Sequence, residues 1–287
     1  MVIDVNPTMY KPPFCDWLNV SVQNDAPTLD ALESFLGDAG FGRAPRPHRH
    51  GGLQWLSPTG APVVFKEVAG NTACSVSFCG GALAYLRDAG SFLPALSHLA
   101  QAPHRVSRVD IALDVATDPA QHLQALSAPG LDVHLGRGSS PRRQYIGETG
   151  YTIYFGARRA RVHARVYDKS AEALARRREL IPPTLRVELT FDARVGVSLR
   201  DVAAPQALFW HYAATLLPPP PNVPSWAPVD DDSRLGTWKA PPVEPLMKAR
   251  KVLDRLPLDT LRTHFAELTA PEQQYIERLL LERIRPG

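Results

Sequence analysis

Arg161, His163, Arg165, Tyr167 and Lys169 stand at alternate positions of one short segment, RVHARVYDKS (161–170), and set a single phenol among cations. Val162, Ala164 and Val166 occupy the intervening positions, so a strand here has one apolar and one polar face. Two other segments repeat this pattern. In 106–115, Val109, Ile111, Leu113 and Val115 oppose Arg108, Asp110 and Asp114. In 184–192, Leu185, Val187, Leu189 and Phe191 oppose Arg186, Glu188 and Asp192. If the three strands share a sheet, its polar face gathers carboxylates, arginines, Tyr167 and Lys169.

That set has a phosphoryl-transfer logic. Asp110 and Glu188 are hard oxygen ligands of the kind Mg²⁺ or Mn²⁺ takes, one or two protein carboxylates together with water and phosphate oxygens. Such an ion would polarise a phosphodiester. Tyr167 is the nucleophile that would attack phosphorus and hold the DNA end covalently. Lys169 would lower the phenol's proton affinity or protonate the leaving oxygen, while Arg165 and Arg186 clamp phosphate. Arg108 and His163 share the face and are counted among the DNA contacts. Tyr145, Tyr151 and Tyr154 are alternative tyrosines without the flanking cations.

The elements that must position these groups follow from the local patterns. Strands are expected over 15–23, 73–80, 105–116, 161–168 and 184–194, and hairpins over 52–68 and 144–156. Helices are expected over 28–42 behind a Thr28 cap, over 81–88, 91–100, 118–127, 170–180 and 204–217. The run PPPPNVP (218–224) is extended linker, because each proline fixes φ and removes a donor. Two or three helices follow over 244–284. The domains are thus an α+β domain over 14–217, a Pro-rich linker over 218–240 and a helical C-terminal extension over 241–287.

Charge is uneven along the chain. The net charge is only +3, yet residues 137–178 hold ten Arg and one Lys against two Glu and one Asp. Arg137, Arg142 and Arg143 lie in a Gly/Ser loop, and Arg158, Arg159 and Arg161 at a hairpin turn; both groups suit the DNA backbone. There is no run of about 18 apolar residues, so no membrane span is expected. The beginning of the chain lacks the basic-then-apolar order of a secretory signal. Cys15, Cys74 and Cys79 form no C-x-x-C and read as reduced thiols of a cytoplasmic protein.

In their order, RVSRVDIALDVA, TIYFGARRARVHARVYDKSAEALA and TLRVELTF resemble the Rep_trans family of replication initiation factors, the rolling-circle initiators of phages and small plasmids. Its R-x-D-x-A-x-D strand matches Arg108, Asp110, Ala112 and Asp114. Its Y-F-G-x-R hairpin matches Tyr154, Phe155, Gly156 and Arg158, its R-x-Y-x-K strand Arg165, Tyr167 and Lys169, and its R-x-E strand Arg186 and Glu188. The early DWLNVSV also looks like the family's first strand, and the likeness covers about residues 15–215. The resemblance implies antiparallel sheets with helices on one face, built of ferredoxin-like or palm-like elements. It implies a metal-dependent nick in one origin strand, with Tyr167 as nucleophile, a 5′-phosphotyrosyl intermediate and a free 3′-hydroxyl. Asp110 and Glu188 match the acidic metal positions, with Arg165 and Lys169 in support. Its implied partners are origin DNA, single-stranded or extruded as a hairpin, a second copy as a homodimer, and a host helicase. One departure is plain: CSVSFCGGAL stands where plasmid members carry another acidic strand, leaving Asp114 or a water as third ligand. His48 and His50 flank Arg49 between Pro47 and Gly51, and so read as loop rather than a His-hydrophobe-His metal strand. Two alternatives stand beside the initiator: a conjugative relaxase with the same chemistry, and a non-catalytic DNA-binding regulator derived from one.

Overall fold

A computed structural model describes residues 10–49, 51–68, 73–136, 140–147, 150–157, 159–177 and 179–228. The chain is mixed α+β. Its ten described strands are β1 (Phe14–Gln23), β2 (Gly42–Arg43), β3 (Leu53–Leu56), β4 (Pro62–Glu67), β5 (Ala73–Phe78), β6 (His104–Ala116), β7 (Arg142–Gly147), β8 (Gly150–Phe155), β9 (Val162–Asp168) and β10 (Thr184–Asp192). They form one sheet in the order β2-β3-β4-β5-β1-β6-β10-β9-β8-β7. Every pairing is antiparallel. The three patterned strands are therefore neighbours, with β10 between β6 and β9.

Seven helices complete the described fold: α1 (Ala26–Asp38), α2 (Gly80–Asp88), α3 (Phe92–Gln101), α4 (Pro119–Leu126), α5 (Lys169–Arg177), α6 (Leu199–Ala203) and α7 (Gln206–Ala213). Helix α1 starts earlier than the expected Thr28 cap. Asp25 caps it instead, accepting from the Thr28 amide at 2.8 Å, and Pro27 fits the first turn, where no amide partner is needed. The basic residue expected at the end of β9, Lys169, opens α5. Asp168 caps that helix by accepting from the Ala171 amide at 2.9 Å. Helix α6 was not expected; a capping box between Ser198 and Asp201 starts it.

The apolar face is closed. Leu185, Val187, Leu189 and Phe191 of β10 have no accessible surface, nor do Val109, Ile111, Leu113 and Val115 of β6. Leu208, Phe209 and Trp210 of α7 join the same core, and α6 packs on β1 and α7 on β10. Helices α2 and α5 take another position: they wall the polar pocket. The α2 start approaches β1 so closely that a Cβ on Gly80 would come within 2.8 Å of the Asp16 carbonyl oxygen.

The proline run does not leave the domain at once. Tyr10 donates to the Pro218 carbonyl at 2.9 Å, and Trp226 donates to Asp201 at 2.8 Å. The rest of the expected linker, from residue 229, and the helices expected over 241–287 lie outside the described residues. Among the described residues, no helix is long and apolar enough to cross a membrane.

Leu189→Ala removes a side chain with no exposure from the middle of the sheet. Urea unfolding is expected to show a loss of about 2–5 kcal/mol, the range for truncating a buried leucine.

Candidate nucleic-acid active site

Register writes the polar face as rows across the sheet, because directly opposed residues of antiparallel strands share a face. One row runs Asp114, Arg186, Tyr167, Thr152 and Tyr145 across β6, β10, β9, β8 and β7. The next runs Ala112, Glu188, Arg165, Tyr154 and Arg143 across the same strands. A third runs Trp17, Asp110, Thr190 and His163 across β1, β6, β10 and β9. Around Tyr167 this face is nearly as inaccessible as the apolar one, with Tyr167 and Asp110 each 4% exposed, Glu188 7% and Arg186 8%, and it opens to solvent toward β7.

Buried charge needs a partner, and each carboxylate has one. Arg108 grips Asp110 with Nε and Nη2 at 2.9 and 2.6 Å. Arg165 Nη2 donates to Glu188 Oε2 at 2.6 Å. Arg186 grips Asp114 at 2.6 and 2.8 Å and lies 3.5 Å from Asp16. Lys169 donates to Glu172 at 2.6 Å. The phenol sits among them. Its hydroxyl is 3.5 Å from Glu188 Oε2 and 3.4 Å from Arg165 Nη2. The Arg165 guanidinium lies 4.4 Å from the Tyr167 ring centroid and the Lys169 ammonium 5.9 Å.

The proton affinities follow from burial and neighbours. Burial pushes the Tyr167 phenol well above the ordinary tyrosine value, and the Glu188 charge adds to this against the opposing Arg165 and Arg186. Burial also raises Glu188. Arg165 pulls it back, and the charges of Asp110 and Asp16 raise it further. Burial lowers His163, so its ring is biased toward the neutral form. Glu172 is held below its usual value despite burial, by the Lys169 hydrogen bond and the charges of Lys169, Arg176 and Arg165. The Arg165 Nε beside the phenol is buried without a hydrogen-bond partner, as is His163 Nδ1, which lies four residues back along β9 and outside the lining of the Tyr167 pocket.

Together these side chains line a pocket of about 650 Å³. It includes Asp110, Arg108, Arg165, Tyr167, Lys169, Arg186 and Glu188 from the expected set. It also includes groups that the patterns did not single out: Asp16, Trp17, Arg87, Glu172 and Arg176. Trp17 was legible by parity, since it precedes the buried Leu18 on β1. Asp16 was not: the register slips between Cys15 and Trp17, and an irregularity of that kind sets two successive residues toward one pocket. Glu172 lies three residues after Lys169, one helical turn on, which only the start of α5 at Lys169 makes meaningful.

Other expectations are corrected. Asp114 does not join Asp110 and Glu188. It lies opposite Arg186, spends both oxygens there and is absent from the pocket lining. Arg142 does not face solvent as a free backbone contact: it donates to the Leu126 and Ala128 carbonyls at 2.8 Å each and closes the end of α4. Arg143, Arg159 and Arg161 are exposed. Arg137, Arg158 and His50 lie outside the described residues. Tyr154 does share the polar face, opposite Arg165, whereas the Tyr151 hydroxyl is engaged with Ser127 at 2.6 Å and Tyr145 lies on the edge strand, 60% exposed.

A divalent ion is therefore left with two protein carboxylates. Among the described residues, no three His, Cys, Asp or Glu side chains converge as a metal cluster. Asp110 and Glu188 sense each other's charge, and two hard carboxylates fit Mg²⁺ or Mn²⁺, which take few protein ligands and complete their shell with water and phosphate. Both would have to loosen from Arg108 and Arg165 to do so.

Two results are expected from this geometry. Arg186→Ala leaves Asp114 and Asp16 without their cation, and urea unfolding should register a loss of about 3–5 kcal/mol, as for one-sided removal of a buried ion pair. In an ultraviolet titration, wild type and Tyr167→Phe should release the same phenolate signal up to about pH 10, because Tyr167 is not yet ionised there. Its folded value lies above the unfolded one, so its contribution to stability is complete below about pH 10 and is lost as the pH rises through the folded value. An ordinary titration of Tyr167 near pH 10 would contradict the site as described.

Comparison with solved structures shows a likeness of fold. A solved rolling circle replication initiator protein from Geobacillus stearothermophilus superposes with a TM-score of 0.48 at 18% identity, over 77% of this chain and 90% of that one. No protein-family model matches the sequence. No curated protein matches it.

Proposed function

We propose that this chain is a rolling-circle replication initiator that nicks one DNA strand by transesterification onto Tyr167. The observation that carries the reading is the phenol's setting. Its hydroxyl stands 3.5 Å from a buried carboxylate in a pocket lined by seven cationic side chains, with the buried Arg165 Nε still lacking an acceptor. A phosphate oxygen would satisfy that nitrogen, and an anionic ligand suits a pocket whose seven cations outnumber its five carboxylates.

In the proposed step, Tyr167 Oη attacks phosphorus and its proton passes to Glu188, whose raised proton affinity suits a general base. The Oη–P bond forms as the P–O3′ bond breaks. The 3′ oxygen takes a proton from Lys169 and leaves as a free hydroxyl, and the 5′ end stays on the tyrosine. Arg165 and Arg186 balance the charge that builds on the phosphorane oxygens. Mg²⁺ or Mn²⁺ held by Asp110 and by Glu188 Oε1, leaving Oε2 to the phenol, would supply Lewis-acid polarisation of the same phosphate. The 3′-hydroxyl primes synthesis, and reversal of the step rejoins the strand.

A second reading rests on a specific observation. Tyr167 is 4% exposed and every carboxylate of the face already has a cationic partner, an arrangement that also suits a DNA-binding protein without chemistry.

Covalent capture separates the two. Purified protein is mixed with single-stranded oligonucleotides tiled across the DNA flanking its own gene, with Mg²⁺, with Mn²⁺ or with a chelator, and then denatured. Wild type is expected to leave a protein–DNA adduct that Tyr167→Phe lacks entirely, and Glu188→Gln should slow its formation by about 10²–10⁴-fold if Glu188 is the base. Loss of the adduct in chelator supports the ion. Oligonucleotide binding with no adduct in either protein would establish the second reading.

A further inference from the structure

A second cavity, of about 1170 Å³, shares no lining residue with the Tyr167 pocket. It opens where the β8–β9 turn, the end of β10 and α7 meet. We infer that this cleft holds an unstacked base of single-stranded DNA, with Arg161 on the adjoining phosphate. The inference rests on the DNA reading proposed above and assigns a separate contact site to it.

The rings make the first argument. His211 and Tyr212 of α7 and Trp226 of the following segment gather at the cleft, with centroids 4.7 to 5.9 Å apart. None lies flat on another: the interplanar angles are 73°, 58° and 55°. Their faces are therefore not spent on each other, and a planar ligand can stack on one without breaking a ring pair. They are also held in place. Trp226 is tied by its indole nitrogen to Asp201 at 2.8 Å, and Asp201 is itself fixed by the capping box of α6. Tyr212 packs edge-on against the fully buried Phe191, with centroids 5.3 Å apart. Fixed aromatic faces bind bases of any sequence, because every base has a π-face.

Charge makes the second argument. Among the described residues no carboxylate lines this cleft, whereas five line the Tyr167 pocket. Arg161, Arg194, His134 and His211 all border it. Arg194 is already paired with Asp192, and His134 lies 2.9 Å from Asp132. Arg161 differs: it is exposed, it acts electrostatically on the Tyr212 hydroxyl, and no carboxylate pairs with it among the described residues. An unpaired guanidinium beside unstacked rings fits a base with its phosphate better than it fits an apolar ligand. Strand β9 links the two sites, since Val162 borders the cleft and Tyr167 the pocket. The five steps between them span roughly 17 Å at the rise of a β-strand, and Val162 and Tyr167 point to opposite faces of the sheet, so a DNA strand touching both sites would pass around the end of β9.

The test uses the full chain and iodouracil-substituted oligothymidylate. Ultraviolet crosslinking followed by peptide mass spectrometry is expected to place an adduct on the peptide carrying His211 and Tyr212 or the one carrying Trp226. By fluorescence anisotropy, Trp226→Ala and Arg161→Ala should each weaken binding about ten-fold, and Trp226→Phe, which keeps a ring, should recover most of it. The exposed His211→Ala gives a variant with little risk to folding, and it should weaken binding in the same direction. Crosslinks confined to peptides of the Tyr167 pocket, with wild-type affinity in all these variants, would overturn the inference and leave the Tyr167 reading standing. No oligonucleotide binding by wild type would sink both.

Discussion

Around Tyr167 the polar face of the sheet is charged and yet almost closed to solvent, so its carboxylates must be neutralised where they stand. Isolated ionised carboxylates at that depth would cost several kcal/mol each. Antiparallel register supplies the answer. Asp114 faces Arg186 across the β6–β10 ladder, and Glu188 faces Arg165 across β10–β9. Asp110 takes the arginine two residues earlier on its own strand. Shifting any of these strands by one residue would turn the whole polar row into the core. The same register that buries Leu185, Val187 and Leu189 on one side therefore holds the ionic network together on the other.

Such a network contributes little net stability, because desolvation consumes most of the Coulomb gain. What it does provide is orientation. Arg165 lies over the Tyr167 ring while bonded to Glu188, so phenol, carboxylate and guanidinium have few ways to rearrange independently. For the phosphoryl transfer proposed above this would be the useful property, since the catalytic contribution of fixed charges comes from not having to reorganise as charge moves. The burial that fixes the phenol also raises its proton affinity, and it raises that of the neighbouring Glu188 as well.

Much of this was legible from period-two patterns. Val162, Ala164 and Val166 announced the core side of β9, and Arg165 and Tyr167 the other. That β6, β9 and β10 share one sheet was only a condition of the sequence reading, and the strand order supplies it. Where the reading went astray, a non-local partner decided. Arg142 looked like a loop cation, yet its guanidinium closes α4 through the Leu126 and Ala128 carbonyls. Asp114 looked like a third ligand until strand register set it on Arg186. Trp226, within an extent read as linker, packs on α7 and bonds to Asp201.

The sequence by itself determined the patterned strands β6, β9 and β10, which side of each is apolar, and that a tyrosine and its cations share a face, although it extended the first helix over the short β2 and left the start of β7 as loop. These are local consequences of alternation, and alternation is written in the order of residues. Only the tertiary structure decided which charges meet. Strand order brought β10 between β6 and β9, a register irregularity in β1 brought Asp16 and Trp17 into the pocket, and α5 brought Glu172 to Lys169. Pairing depends on distances between segments far apart in the chain, and no periodicity within a segment encodes those distances.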